Sequence, residues 1–283
     1  LVVNAAHISP GYSVASASPY ATRIGMKILK EGGNAFDAAV GVSAALAVTE
    51  SYHSGLGGGG FWLLYDAKAN KNVLIDGREV APIASSKDMY LNEHGKALTD
   101  LSLFGALGAA IPGEPAALAH ISKKYGSMPL GKVLSGAINL AKNGFLVDET
   151  FRDIISYPRV KKHILATPAT YEIFAPKGIT PKVGQRLYQK DLAKTLELLA
   201  KFGHKGFYEG KVAQQLVHEV RKAGGIWSMA DLELYKVIER EPLVGMYQGT
   251  KIITTPPPSA GGLSLITMLN ILSNYSDRKS TRL

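Results

Sequence analysis

The chain has 283 residues, 46% hydrophobic and 19% charged, which marks a globular protein of one large domain or two small ones. Its 32 Lys and Arg against 23 Asp and Glu leave +9, but the basic residues are scattered over helix faces without interleaved aromatics, so the excess points away from nucleic acid and toward an anionic small molecule. With no cysteine, disulfides, thiolate nucleophiles and Cys-ligated zinc are excluded, and the longest small-apolar stretch, residues 38–48, is too short to span a bilayer. The histidines (His7, His53, His94, His120, His163, His204, His218) never fall in metal-ligand spacing, so no metal site is expected. No basic-then-apolar leader stands at Leu1, so any signal peptide is expected to be missing.

In chain order, residues 12–17 read as β-like. Ser18 and Pro19 then supply an N-cap and an N1 proline for a helix whose buried face is Ala21, Ile24, Gly25, Ile28 and Leu29. Gly32 and Gly33 end it. Asn34 caps a second helix with Asp37 at N3, and the small residues on every side of its body predict close packing all round. The stretch 50–82 comes next, with four glycines (Gly57 to Gly60), a strand over 59–66 that is apolar on both faces, a polar loop, and a strand over 72–76 leading to Asp76, Gly77, Arg78 and Glu79. Glycines there permit φ > 0 or a close backbone approach, and a strand apolar on both faces should be covered on both. Beyond Pro82 helices are expected from Pro112 to about Lys124, over 129–142 and over 149–156, then irregular structure over 158–186. Helices over 188–202 and 208–223, a short one over 229–234 capped by Ser228, strands over 236–241 and 243–254 with a turn at Gln248 and Gly249, and an extended Pro256–Pro257–Pro258 segment before a helix capped by Ser259 complete the pass. No internal repeat or linker divides the chain, which reads as one unit of mixed α/β type.

Four features could carry chemistry. The glycine run lacks the Lys and Ser/Thr of a P-loop and precedes a strand, where nucleotide fingerprints need glycines between strand and helix. His53 and Ser54 are neighbours without a G-x-S-x-G elbow, and triads are assembled from distant positions. Thr254 and Thr255 sit in a strand pattern and are explained by it. Arg78, flanked by Asp76 and Glu79, is either half of a surface ion pair or a fork that grips a carboxylate with two charge-assisted bonds of about 1.5–3 kcal/mol each.

The segments GGNAFDAAV, SGLGGGGFWLLYD, DGREVAP, GAAIPGEPAAL and PPPSAGG, in this order and at these spacings, closely resemble the large subunit of γ-glutamyltransferases, also called γ-glutamyltranspeptidases or glutathione hydrolases, over residues 13–275. The resemblance implies an α/β (α+β) fold, the four-layer αββα sandwich of N-terminal nucleophile hydrolases, of which this chain is the large-subunit part. It implies a self-cleaving precursor, a threonine nucleophile in a small subunit beyond the end of this chain, and no cofactor. The implied partners are a γ-glutamyl substrate such as glutathione and that small subunit, in a periplasmic or secreted enzyme. In such enzymes the arginine of the D-x-R-E-x-A-P motif, here Arg78, holds the substrate's α-carboxylate. No catalytic residue is expected in the chain itself. Ser18 stands where many relatives have histidine, and cephalosporin acylases and poly-γ-glutamate-processing enzymes share much of the pattern. A non-enzymatic relative that keeps only the carboxylate grip is a further alternative. The last seven residues, DRKSTRL, back-translate as GAT CGG AAG AGC ACA CGT CTG, a common sequencing-adapter string. The native large-subunit region is therefore expected to be 1–276, incomplete at both ends, with 277–283 a non-native tail.

Overall fold

Ser18 and Pro19 open the first helix where the sequence places them. In the computed structural model, which describes residues 11–275, the chain begins with α1 (Pro19–Lys30), α2 (Ala35–Thr49), β1 (Gly60–Asp66) and β2 (Lys71–Gly77). Then come α3 (Thr99–Leu103), α4 (Glu114–Tyr125), α5 (Leu130–Asn143), β3 (Phe145–Leu146), α6 (Glu149–Ser156), α7 (Pro158–Ala166), α8 (Pro168–Phe174) and β4 (Arg186–Leu187). The chain continues through α9 (Lys190–Phe202), α10 (Lys205–Tyr208), α11 (Gly210–Lys222), α12 (Met229–Leu234), β5 (Ile238–Arg240), β6 (Leu243–Tyr247), β7 (Thr250–Thr254) and α13 (Ala260–Leu272). The expected tail at 277–283 lies outside the described residues. Where no linker was legible, the described residues nonetheless gather into two compact groups, one of 13–60 with 78–237 and a smaller one built from 11–12, 61–77 and 238–275. The groups interleave along the chain, so no linker composition marks them.

The larger group is mostly helical. α2 packs on α1, α4 and α5, and its Val40, Ala44, Ala45 and Val48 are fully buried. Asn34 Oδ1 accepts from the amides of Phe36 and Asp37, both at 2.9 Å, while Asp37 Oδ2 accepts from Asn34 N at 3.0 Å, a complete capping box. The buried Asp37 also accepts from Ser127 N at 3.0 Å and Ser127 Oγ at 2.7 Å, which ties α2 to the loop after α4. Ser18 is the N-cap residue of α1 by backbone geometry, yet its side chain makes no cap bond.

Two expectations are corrected. The stretch 158–186 is not irregular throughout, because Pro158 and Pro168 each start a short helix at N1, where proline's fixed φ and missing N–H suit the first turn. The strand buried on both faces is β2, not β1. In the smaller group the sheet order is β1-β2-β5, with β2 antiparallel to β5 through Leu74↔Arg240 and Ile75↔Glu239. As the middle strand β2 buries Leu74 and Ile75 completely, whereas edge strand β1 leaves Leu63 42% and Tyr65 55% exposed. β6 and β7 form a hairpin turned by Gln248 (φ 47°) and Gly249 (φ 80°), the left-handed pair that a tight hairpin needs. α13 lies on β6, its Ile266 against Gly245.

Candidate functional site

Arg78 comes directly after β2, and the backbone around it is held from several sides. Val80 and Ile111 exchange backbone bonds, Val80 N to Ile111 O at 3.3 Å and Ile111 N to Val80 O at 2.8 Å. The Gly58 carbonyl accepts from Gly113 N at 2.8 Å and Glu114 N at 3.0 Å. Those are amides at the start of α4, where Gly113 offers no side-chain cap, so Gly58 serves as a backbone cap. The glycine run thus contributes a carbonyl, and at Gly57 and Gly58 the steric reasons expected for it are not met. None of Gly57 to Gly60 has positive φ, a Cβ on Gly57 would meet open space among the described residues, and one on Gly58 would make only ordinary contact with Glu79 Oε1 at 3.4 Å.

Arg78 Nε donates to Glu79 Oε2 at 3.0 Å, with side-chain exposures of 54% and 28%. A pair this exposed stabilises by about 0–1 kcal/mol at most. Asp76, by contrast, lies in the smaller group and accepts from Arg240 Nε at 2.7 Å across the β2–β5 ladder. Beneath Glu79 lies Glu114, at 7% exposure. Burial first, and the charge of Glu79 second, push its carboxyl up from 4.5 to about 8, so Glu114 is protonated at neutral pH.

The carbonyl of Arg78 accepts a 2.8 Å bond from Tyr235 Oη, which reaches across 157 residues of sequence. Tyr235 is 3% exposed and its ring is stacked on Tyr208 at 5.4 Å and 10°. Tyr208 stacks in turn on His204 at 4.3 Å, donates to Pro112 O at 2.7 Å and accepts from Ala116 N at 3.3 Å. Burial, and then the neighbouring Tyr235, push the Tyr208 hydroxyl upward; burial pushes His204 down against the opposing bond to the Tyr235 carbonyl. Tyr235 meets Tyr208 across separate elements and so leaves no periodic trace in the sequence, whereas His204 and Tyr208 stand four residues apart, at the N-cap and the last residue of α10, a spacing that helix geometry could have shown. Of the other candidates, His53 lies edge-on to Tyr52 at 4.7 Å, and Thr254 is the last residue of β7. Among the described residues no group of three or more His, Cys, Asp or Glu could hold a metal ion.

The family model for gamma-glutamyltranspeptidase matches residues 21–282. The chain belongs to this family. It is 41% identical to the glutathione hydrolase proenzyme of Escherichia coli over 267 residues, which cover 94% of this chain and 46% of that protein. The chain therefore spans about half the length of the curated relatives it matches. The crystal structure of Helicobacter pylori gamma-glutamyltranspeptidase superposes with a TM-score of 0.91 at 38% identity, covering 95% of this chain and 76% of that one. A cephalosporin acylase from Bacillus halodurans does so with a TM-score of 0.81 at 29% identity, covering 97% and 53%. The fold is thus the mixed α/β fold of N-terminal nucleophile hydrolases expected from the motifs.

Proposed function

We propose that the protein carrying this chain is a γ-glutamyltransferase in which this chain supplies the carboxylate grip and a small subunit supplies the chemistry. In this reading a threonine at the small subunit's N-terminus attacks the γ-glutamyl amide of glutathione or a related compound, with its own α-amine as base. The acyl enzyme then passes the γ-glutamyl group to water or an amino acid. Arg78 holds the α-carboxylate of the γ-glutamyl group in its guanidinium fork. The observation that carries the reading is the placement of Arg78: it stands in the DGREVAP motif of a family member, with its backbone tied down and its head more than half exposed. Glutathione hydrolases match at 41% identity and the cephalosporin acylase at 29%, which favours γ-glutamyl over other acyl substrates.

A small-subunit partner is supported by the surface of the smaller group. α13 is apolar on nearly every side, as buried helices are, yet Leu263, Met268, Ile271 and Leu272 are each at least 50% exposed. A protein that buries this helix has to cover it with chain other than the residues described. The resemblance also carries a periplasmic or secreted location; among the described residues no helix is long and apolar enough to cross a membrane.

The test is kinetic. In the full-length precursor's mature enzyme, Arg78→Ala raises KM for glutathione by about 30-fold or more, the worth of a charge-assisted bond or two, and Arg78→Lys restores little because a point charge cannot fork. Unchanged KM in both variants refutes the assignment.

A further inference from the structure

Behind the carboxylate grip of Arg78 stands a short helix, α12, whose role depends on that grip. α12 begins with a capping box: Ser228 N and Ser228 Oγ donate to Asp231 Oδ2 at 2.7 and 2.6 Å, and Asp231 N donates to Ser228 Oγ at 3.3 Å. The other oxygen of Asp231 accepts from Ile83 N at 2.6 Å. Burial opposes ionisation of Asp231, but the bonds from Ser228 and Ile83 outweigh it and hold its carboxyl below the ordinary value. Four residues on, at the C-cap of the same short helix, Tyr235 donates to the carbonyl of Arg78. One helical turn of chain therefore grips the extended segment 78–83 at both ends, and the Val80–Ile111 bridge grips it in between.

We infer that α12 is a positioning device for Arg78: Asp231 and Tyr235 clamp the two ends of segment 78–83 and set where the guanidinium meets its carboxylate ligand. The division of labour supports this. The clamp acts on the backbone, with Asp231 4% and Tyr235 3% exposed, while the Arg78 side chain is left 54% exposed to meet a ligand. A flexible side chain on a fixed base samples fewer misplaced positions than one on a mobile loop, and a carboxylate fork is sensitive to its angle of approach. The ring stack beneath serves the same end. Tyr208, anchored to Pro112 and Ala116 at the entry to α4, presents a flat face that keeps Tyr235 from swinging away from Arg78. Trp227 Nε1, donating to Ala109 O at 2.9 Å, ties the chain just before α12 to the segment that leads into α4.

A merely structural Tyr235 would alter stability and leave substrate binding alone, so the experiment separates the two. In the mature full-length enzyme, Tyr235→Phe keeps the ring and removes the bond to Arg78. It is expected to raise KM for glutathione roughly three- to tenfold, the worth of one neutral hydrogen bond, with kcat within about twofold. In the Arg78→Ala background the same change is expected to do nothing further, because its effect passes through Arg78. Full additivity of the two substitutions, or an unchanged KM in Tyr235→Phe while Arg78→Ala alone raises KM, overturns the inference and leaves the carboxylate grip standing. An Arg78→Ala enzyme with unchanged KM removes both. If Tyr235→Phe does not fold, Tyr208→Phe, which keeps the stack and cuts its anchor, is expected to raise KM in the same direction; unchanged KM there also overturns the inference.

Discussion

Glu114 provides the sharpest measurement. Its carboxyl is 7% exposed and stays protonated up to about pH 8, against 4.5 for an ordinary glutamate, because burial and the neighbouring charge of Glu79 both disfavour the anion. Below pH 4.5 the folded and unfolded chains both hold this proton and Glu114 contributes no pH dependence. From pH 4.5 to about 8 the unfolded chain has released it and the folded chain has not, so stability falls by about 1.4 kcal/mol per pH unit. The loss accumulates to about 5 kcal/mol and is flat above pH 8. Glu114→Gln replaces the neutral acid by a neutral amide of nearly the same shape, with no proton to hold. Denaturant unfolding of the full-length protein at pH 5, 6, 7 and 8 is the assay. Any misfit of the new amide is a constant offset, so the slope is what reports: the variant's stability relative to wild type is expected to climb with pH by up to about 1.4 kcal/mol per unit. Parallel curves across this range would show that Glu114 is ionised in the fold and refute the reasoning.

Other consequences are open to direct test. Asp37→Ala removes the acceptor of the α2 capping box and of Ser127, leaving buried amides unpaired, and is expected to lower stability by about 3 kcal/mol in chemical denaturation. Gly206→Ala drives a Cβ into the Leu198 carbonyl, which is backbone and cannot rotate aside, so a loss of about 1–3 kcal/mol is expected, read by the same assay. Produced by itself, this chain is expected to self-associate through α13 and edge strand β1, and Met268→Glu to reduce that association in sedimentation; a monomeric chain indifferent to Met268→Glu counts against an uncovered apolar face.

Much of the fold was legible because local chemistry decides it. Asn34 with Asp37, and Ser228 before Met229, mark helix starts through bonds to amides two or three residues away, and both caps form as read. The β6–β7 turn was legible because Gly249 tolerates the left-handed backbone it requires, and Gln248 joins it at positive φ. Pro158 and Pro168 were misread for a related reason: proline stops a helix it sits inside and starts one it sits in front of, and composition alone does not say which. β1 was misread because apolarity on both faces does not say where a strand lies in its sheet; burial within the described residues follows sheet order, which puts β2 in the middle.

At the candidate site the same boundary separates Arg78 from its supports. A guanidinium beside a carboxylate at a strand end is visible as a chemical possibility in seven residues, and the motifs around it gave it a role to test. The groups that hold it in place are not visible that way. Tyr235 reaches Arg78 across 157 residues, Asp231 reaches Ile83 across 148, and Gly113 and Glu114 find the Gly58 carbonyl only once the chain has folded. Each is an ordinary residue in its own neighbourhood: a tyrosine ending a short helix, an aspartate in a capping box, the first turn of α4. Asp231 shows why such residues are hard to find, since its local role in capping α12 fully explains its presence while its second oxygen acts on Ile83. A carboxylate has two oxygens, and a sequence reading that accounts for one has no means of asking about the other. Asp231→Asn is therefore the discriminating substitution. The amide keeps one oxygen and must choose between Ser228 and Ile83, so on the role proposed for Arg78 a loss is expected in either the stability of α12 or the KM for glutathione; an Asp231→Asn enzyme unchanged in both would show that the second oxygen contributes nothing.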